Sequence, residues 1–225
     1  MTGVRSAVIT LSRANSPLRF VLFPMLHLGS ETFYQDVTDC LRQCQVVVAE
    51  GIQGRSAVTR AMTLAYRLPG HRRRLGLVVQ RIDYASLGVP VLTPDLTGRQ
   101  LRQGWRSAPR LQRTVLLAAA PVLGAFFWLM GTRRMLSRYA SAEDVPSLPQ
   151  SLVRERHSDL VELLVDGRDR LVAAALDGIC AERSEQPCDV AVVYGAGHMA
   201  GIVRHLHARH GYRPCQAQWL TVFEF

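Results

Sequence analysis

Two segments of the chain, "QVVVAE" at residues 45–50 and "CDVAVVYG" at 188–195, are apolar at nearly every position. Strands without polar alternation are buried on both faces, which is typical of parallel sheets. A third strand is predicted at "VPVLTPD", residues 89–95. Because helical patterns separate these strands, the predicted fold class is α/β, with a mixed, largely parallel central sheet flanked by helices.

The two ends of the chain predict antiparallel additions to this sheet. "VRSAVITL" and "LRFVLFPML" flank the turn cluster "SRANSP", so the chain is expected to open with a hairpin. "QAQWLTVFEF" at the other end is expected to form an edge strand. Helices are predicted at four places: after an N-cap at Ser30, over Ser56–Leu68, over about Arg73–Ser86, and up to Gly211.

Length and composition indicate how many domains the chain forms and which kinds of partner it binds. A chain of 225 residues with 48% hydrophobic content is expected to form a single domain, residues 1–225, with an apolar helical insertion at 99–149. The net charge of +9 comes entirely from arginine, since the chain has no lysine. The arginines are scattered and no nucleic-acid-binding motif is present, so no nucleic-acid partner is expected. Five cysteines without regular spacing and no signal-peptide pattern predict a cytoplasmic protein.

The insertion contains an unusual apolar run. Residues 115–131 are close to the minimum length for a membrane span, with arginines on both sides and Pro121 at the centre. A single crossing would separate strands that are expected to share one sheet. The favoured interpretation is a buried or partner-covered helix pair bent at Pro121. The alternatives are a membrane-surface element, which would make the protein peripheral to the membrane, and a homo-oligomer contact through 113–135.

Four of the predicted strands finish on a residue that can do chemistry. The apolar strands end, in chain order, at His27, Glu50, Asp95 and His198. Ligands of open α/β sheets bind in the crevice outside the carboxyl ends of the strands. If these strands are neighbours, two imidazoles and two carboxylates meet in one cleft. Such a set holds a divalent transition metal, or it supplies a general base and the residue that orients it.

Glycines surround the last of these residues. Gly195, Gly197 and Gly201 allow the backbone to approach a ligand and the next helix closely, so Gly195 and Gly197 are candidate binding residues. "GAGHMAG" superficially matches the dinucleotide-binding fingerprint. It follows the last parallel strand rather than the first, and no acidic residue follows about 20 positions later, so nucleotide binding is not expected.

These motifs carry a resemblance to a known family. The segment from "MLHLGSETFYQD" to "VVVAEGIQGR", with "LLVDGRDRLVAAAL" and "VVYGAGHMAGI", resembles the TraB/PrgY/GumN family, related to the Tiki proteases and to the erythromycin-esterase and ChaN-like fold. The matching positions are Gly195, Gly197, His198, Gly201, Glu50 with Arg55, Arg168 with Asp169, and Asp95. The chain departs from the family pattern at Pro24 in place of a glycine, Gly167 in place of a glutamate, and Leu96 in place of an arginine.

The resemblance implies a metal-dependent hydrolase of a peptide or ester substrate. His27, Glu50 and His198 would hold a divalent ion (zinc, manganese or cobalt) or position the attacking water, and Asp95 would be a fourth ligand or would orient an imidazole. Arg55 and Arg168 would bind a substrate carboxylate or stabilise negative charge. The alternatives are a non-catalytic cleft protein that binds a peptide, haem or iron, and a membrane-associated scaffold.

Two weaker signals lie outside the strand ends. "HLHARH" contains His205, His207 and His210, of which His207 and His210 are one helical turn apart. This set is interpreted as a surface cluster, with a shared metal as the alternative. Gln80 precedes the third strand, and we expect it to point into the cleft.

Overall fold

The computed structural model describes residues 3–51, 63, 67, 68, 70, 73–139 and 167–225. Its six-stranded sheet has the order β6-β4-β7-β2-β1-β8, and β3 pairs with β5 in a separate two-stranded ladder. The strands are β1 Gly3–Arg13, β2 Ser16–Met25, β3 Leu28–Gly29, β4 Val46–Ala49, β5 Val78–Val79, β6 Val91–Leu92, β7 Cys188–Gly195 and β8 Arg213–Glu224. The helices are α1 Glu31–Leu41, α2 Gly98–Ser107, α3 Arg110–Met130, α4 Arg133–Tyr139, α5 Gly167–Arg183 and α6 Ala196–His210.

The predicted α/β class is confirmed. Strands β6, β4, β7 and β2 are parallel neighbours, whereas β1 runs antiparallel to both β2 and β8. The sheet is therefore mixed, and its parallel part contains all the strands whose ends carry the candidate residues. The final strand lies at the sheet edge, as expected.

Both faces of the sheet are covered, which explains the continuous apolar sequence of β4 and β7. On one face, Val47, Ala191 and Val193 pack in a core with residues of α1. On the other face, Val48 and Val192 pack in a second core with residues of α5 and α6. Successive residues of each strand alternate between the two cores.

The opening hairpin forms where it was predicted. Asn15 has a φ of 60° in the turn between β1 and β2, a conformation that asparagine tolerates better than most residues. Pro24 lies in β2, but the β1–β2 pairing ends at Ile9 and Leu22. Beyond that point the hydroxyl of Ser6 donates to the carbonyl of Pro24 at 2.7 Å. The missing N–H of Pro24 is therefore not needed by the antiparallel ladder.

Two of the predicted helices need comment. Ser30 caps α1, because its hydroxyl accepts a hydrogen bond from the N–H of Phe33 at 3.1 Å. The helix predicted over Arg73–Ser86 is wrong: two short 3-10 helices, Arg73–Leu75 and Tyr84–Leu87, flank β5 instead. The apolar residues of this stretch fill the core beside α1 at irregular spacing. Most of the helix predicted at Ser56–Leu68 lies outside the described residues.

The apolar run differs from the favoured expectation. Helix α3 is continuous through Pro121, and 12% of its most apolar 18-residue stretch is buried by the described part of the chain. The expectation of a bent helix pair buried within the chain is therefore wrong, whereas the expectation that a partner covers this segment stays a prediction. Helix α3 has the length and the hydropathy of a membrane-crossing helix. However, β6 before it and β7 after it lie in one sheet, which places both strands on the same side of any membrane.

Candidate functional site

The four candidate residues lie at one edge of the sheet. His27 follows β2, Glu50 follows β4, Asp95 follows β6 and His198 lies in the first turn of α6, directly after β7. Because these four strands are parallel and adjacent, their carboxyl ends meet at the same edge. The sequence thus correctly predicted the neighbourhood, which we call the strand-edge site: His27, Glu50, Asp95, His198, Arg168 and Asp169.

Arg168 joins two of the strand ends. Its Nη2 donates to Glu50 Oε1 at 2.5 Å and to Asp95 Oδ2 at 2.7 Å, and its Nε donates to Asp95 Oδ1 at 2.8 Å. The side chain of Asp95 is fully buried, and those of Arg168 and Glu50 are 12% and 20% exposed. A guanidinium held in this way is a fixed part of the site rather than a mobile surface charge.

Backbone N–H groups complete the coordination of both carboxylates. Gly195 donates to Glu50 Oε2 at 2.6 Å. Gly51 donates to Asp95 Oδ2 at 2.9 Å, and Leu96 donates to Asp95 Oδ1 at 2.7 Å. Asp95 therefore accepts four hydrogen bonds, two from Arg168 and two from the backbone.

These contacts keep both carboxylates ionised. Burial by itself would raise the pKa of Glu50, but Arg168, the N–H of Gly195 and His198 together lower it below its ordinary value. Burial also acts to raise the pKa of Asp95, and the hydrogen bonds and charge of Arg168 outweigh it, so that this pKa is lowered too. The pair carries two negative charges against the one positive charge of Arg168.

His198 is oriented by an acid from a different helix. Its Nδ1 lies 2.6 Å from Oδ1 of Asp169, which belongs to the first turn of α5. The ring also packs edge-on against Tyr194, with ring centroids 5.9 Å apart. Because Nδ1 is taken by Asp169, Nε2 is the nitrogen available to a ligand or a water molecule.

Two glycines of the motif are explained by this geometry. A Cβ at Gly201 would lie 3.0 Å from Oδ2 of Asp169, so a side chain there would displace the acid that orients His198. A Cβ at Gly195 would lie 3.2 Å from Glu50 Oε2 and 3.8 Å from Cδ2 of His198. A side chain at Gly195 would therefore crowd both Glu50 and His198. Gly197 is solvent-exposed on the first turn of α6.

His27 follows β2, which is separated from the strand before Glu50 by β7. The residue is exposed at the surface. Even so, desolvation by the surrounding protein is the largest influence on its pKa, and it lowers that pKa. Glu50 acts to raise this pKa, Arg168 lowers it, and a hydrogen bond with Gln80 raises it. The net shift is downward, so His27 is neutral at pH 7. The expectation that Gln80 points toward this site agrees with that hydrogen bond.

In this structure Arg168 bridges Glu50 and Asp95, two of the residues expected to hold a divalent metal. The guanidinium of Arg168 occupies the space between Glu50 and Asp95, where an ion shared by these carboxylates would lie. His27, Glu50, Asp95 and His198 are all described, and no three of them bring their ligand atoms within 4.8 Å of one another. The predicted ligand set is therefore not assembled, and Asp95 is bound to a cation that the chain itself provides. Arg55 lies outside the described residues.

Two functional candidates were not singled out from sequence reasoning. Asp169 was matched only as the partner of Arg168 in the family motif, without a role of its own. Asp169 meets His198 and Gly201 only because α5 packs against α6, and no local sequence pattern indicates that packing. Tyr84 is the second: burial first, and the charge of Glu50 second, raise its pKa to about 12.

A second cluster of ligating residues lies outside the strand edge. Asp177, His205 and His210 place their ligand atoms within 4.8 Å of one another, which is the single such group found in the described part of the chain. His205, rather than His207, is the partner of His210. The ring of His207 instead lies with Nδ1 3.2 Å from the carbonyl of Tyr212.

The comparisons with known proteins define no family. No protein-family model, no curated protein and no solved structure matches the chain. The resemblance to the TraB/PrgY/GumN family therefore stays a prediction. The class of the protein is given by its fold, a mixed α/β sheet with an ionisable site at the ends of its parallel strands.

Proposed function

We propose that the chain is a hydrolase of peptide or ester bonds whose active site is the strand-edge site. The observation that carries the proposal is the contact of 2.6 Å between His198 Nδ1 and Asp169, next to the buried Glu50–Arg168–Asp95 network. An imidazole oriented by a carboxylate through one nitrogen is a general base through the other.

In the proposed reaction, Nε2 of His198 takes a proton from a water molecule. The water oxygen attacks the carbonyl carbon, and Asp169 stabilises the imidazolium that forms. The imidazolium then returns the proton to the leaving amine or alcohol as the bond to carbon breaks. His27, which is neutral because its pKa is lowered, donates a hydrogen bond to the carbonyl oxygen as negative charge develops there.

Arg168 has a positioning role in this scheme. The resemblance implies that it binds a substrate carboxylate, but its Nε and Nη2 already donate to the protein's own acids. It therefore ties the ends of β4 and β6 to the start of α5, which also carries Asp169. Glu50 provides negative charge near His198, since His198 is one of the groups that lower the pKa of Glu50.

The test is hydrolysis of a panel of fluorogenic peptides and p-nitrophenyl esters by the wild type and two variants. His198→Ala and Asp169→Asn are expected to lower kcat/KM by roughly 100- to 10,000-fold, the range that general-base catalysis supplies. His207→Ala is the matched control, since this histidine lies on the same helix at a distance from the site. Hydrolysis at the wild-type rate by His198→Ala would disprove the mechanism.

The second candidate function is binding without turnover, of a peptide, haem or iron. The feature that favours it is Gly167, which begins α5 beside Arg168 and has no side chain where the family pattern has a glutamate. This candidate predicts that Glu50→Gln leaves ligand affinity unchanged while the wild type hydrolyses nothing in the panel. A visible absorption band in the purified protein would indicate haem or iron.

We also propose that α3 places the protein on an anionic membrane surface. Large apolar side chains along it are exposed, among them Val122, Phe126 and Leu129 at 66%, 45% and 61%. Arginines precede and follow the apolar run, and Trp128 lies near its end, as in helices that rest in the lipid headgroup region. A second copy of the chain is the competing occupant of this surface.

A further inference from the structure

We infer that Asp177, His205 and His210 form a binding site for one divalent transition metal ion of the zinc class, separate from the strand-edge site. Nε2 of His205 lies 2.7 Å from Oδ1 of Asp177, and Nε2 of His210 lies 2.6 Å from the same oxygen. Two ring nitrogens and one carboxylate oxygen thus converge on one point between α5 and α6. Imidazole nitrogen and carboxylate oxygen are the donors that zinc accepts.

The geometry is close to that of an occupied site. Zinc lies about 2.0–2.2 Å from nitrogen and oxygen ligands, so tetrahedral ligand atoms are roughly 3.3 Å apart. The two nitrogens therefore need to move away from the oxygen by less than about 1 Å to admit an ion. The three side chains are 17–27% exposed, so an ion can enter from solvent and keep a water molecule as its fourth ligand.

The end of α6 presents negative charge to this point. His210 is the last residue of α6, where the unsatisfied carbonyl groups and the helix dipole present negative charge. Arg209 Nε lies 3.1 Å from Oδ2 of Asp177, the oxygen that neither histidine contacts. Arg209 therefore orients the carboxylate from outside, as partners of metal ligands commonly do, and leaves Oδ1 facing the two rings.

The position in the fold gives such an ion a structural role. Asp169 contacts His198 near the start of both helices, and Asp177 contacts His205 and His210 further along. Helices α5 and α6 therefore run side by side in the same direction, joined at two places. His210 follows His198 by twelve residues, about 18 Å of helix, so the ion would not touch the strand-edge site.

The experiment titrates zinc into the full-length protein, purified without a nickel column and stripped with a chelator, against a competing metal indicator. We expect one ion per chain, and a melting temperature raised by roughly 5–10 °C at about one hundred times the dissociation constant. His205→Gln, His210→Gln and Asp177→Asn, which retain hydrogen-bonding groups, are expected to weaken zinc binding by more than roughly 100-fold. His207→Ala is expected to bind as the wild type does.

Three outcomes would overturn the inference: no stoichiometric zinc in the wild type, unchanged binding by the His205→Gln/His210→Gln double variant, or loss of binding in a His27→Ala/His198→Ala variant. The last would place the ion at the strand edge instead. Circular dichroism of every variant without zinc confirms that the fold is intact. Since the readout is metal content and melting temperature, this result is independent of whether the protein hydrolyses any substrate.

Discussion

Gly201 shows how a residue without a side chain leaves room for a contact between two others. The side chain of Asp169, which contacts His198, occupies space next to Gly201. A Cβ at Gly201 would lie 3.0 Å from Oδ2 of this carboxylate. Gly201→Ala is therefore expected to displace Asp169 and to lower kcat/KM by about 10-fold or more, with the fold retained. The measurement is steady-state hydrolysis of the best substrate in the panel.

The matched control is Gly178→Ala in α5, where a Cβ would meet nothing within 4 Å. This substitution is expected to leave activity unchanged and to stabilise the protein by roughly 0.5–1 kcal/mol, because alanine is the better helix former. Equal activity of the two alanine variants would contradict the role assigned to Gly201.

Arg168 is expected to matter for stability as much as for function. Arg168→Met leaves the carboxylates of Glu50 and Asp95 without their cation, and Asp95 is fully buried. Breaking a buried pair in this way costs about 3–5 kcal/mol. Urea unfolding at pH 7 measures the loss, and Arg204→Met, an exposed position on α6, provides the control with an expected change within about 0.5 kcal/mol.

The same carboxylates predict how stability depends on pH. The pKa values of Glu50 and Asp95 are lowered in the folded protein from ordinary values of 4.5 and 3.8. Their contribution to the free energy of unfolding is therefore fully present above these ordinary values and is lost as the pH falls through the lowered ones. Glu50→Gln should be less stable than the wild type at pH 7 and should lose less of its stability between pH 5 and pH 3.

The control for this pH series is Glu182→Gln, which changes an exposed glutamate near the end of α5. Its unfolding free energy is expected to follow the wild-type curve throughout. A Glu50→Gln variant with the same slope as the wild type would show that Arg168 and Gly195 do not hold Glu50 ionised.

At the scale of elements, α3 makes the sharpest prediction. Leu123→Glu/Phe126→Glu adds two charges to its exposed surface, where both side chains are nearly half exposed. The wild type is expected to sediment with vesicles of anionic lipid at low salt and less so at high salt, since the flanking arginines contribute. The double variant is expected to stay in the supernatant.

Trp219→Glu is the matched control for the vesicle experiment. This residue is a large exposed hydrophobic on β8, 64% accessible, and it lies outside the helix. It should sediment as the wild type does. If wild type and double variant both stay in solution and the wild type alone dimerises, the apolar surface is an interface between two copies of the chain.

The elements also show where sequence reasoning succeeds. Local sequence was enough to predict three features. These are the helix cap at Ser30, the turn at Asn15, and the burial of β4 and β7 on both faces. Local sequence was not enough for the stretch from Arg73 to Ser86, because its apolar residues follow the shape of the core beside α1 rather than a helical period. Burial of α3 within the chain was wrongly predicted because apolar composition is the same whether a helix is buried or exposed.

At the scale of the whole molecule, the sequence predicted which strand ends meet but not how their side chains pair. The strands that precede His27, Glu50, Asp95 and His198 are parallel and adjacent, so these residues lie at one edge of the sheet. The apolar pattern of the strands was enough to predict this. The pairing of Arg168 with two acids and of Asp169 with His198 depends on where α5 packs, which no local pattern encodes. The sequence placed Arg168 at this site as a residue that binds a substrate carboxylate, whereas in the structure it donates to Glu50 and Asp95.

The position of β7 has a consequence for how the chain reaches this state. β7 is the central strand between β4 and β2, yet it begins only at Cys188. During synthesis, β2 and β4 emerge long before the neighbour that both require, and each keeps an apolar edge open to other chains. Pairings between residues so far apart in sequence form slowly. The parallel part of the sheet is therefore complete only after the residues of β7 have been synthesised.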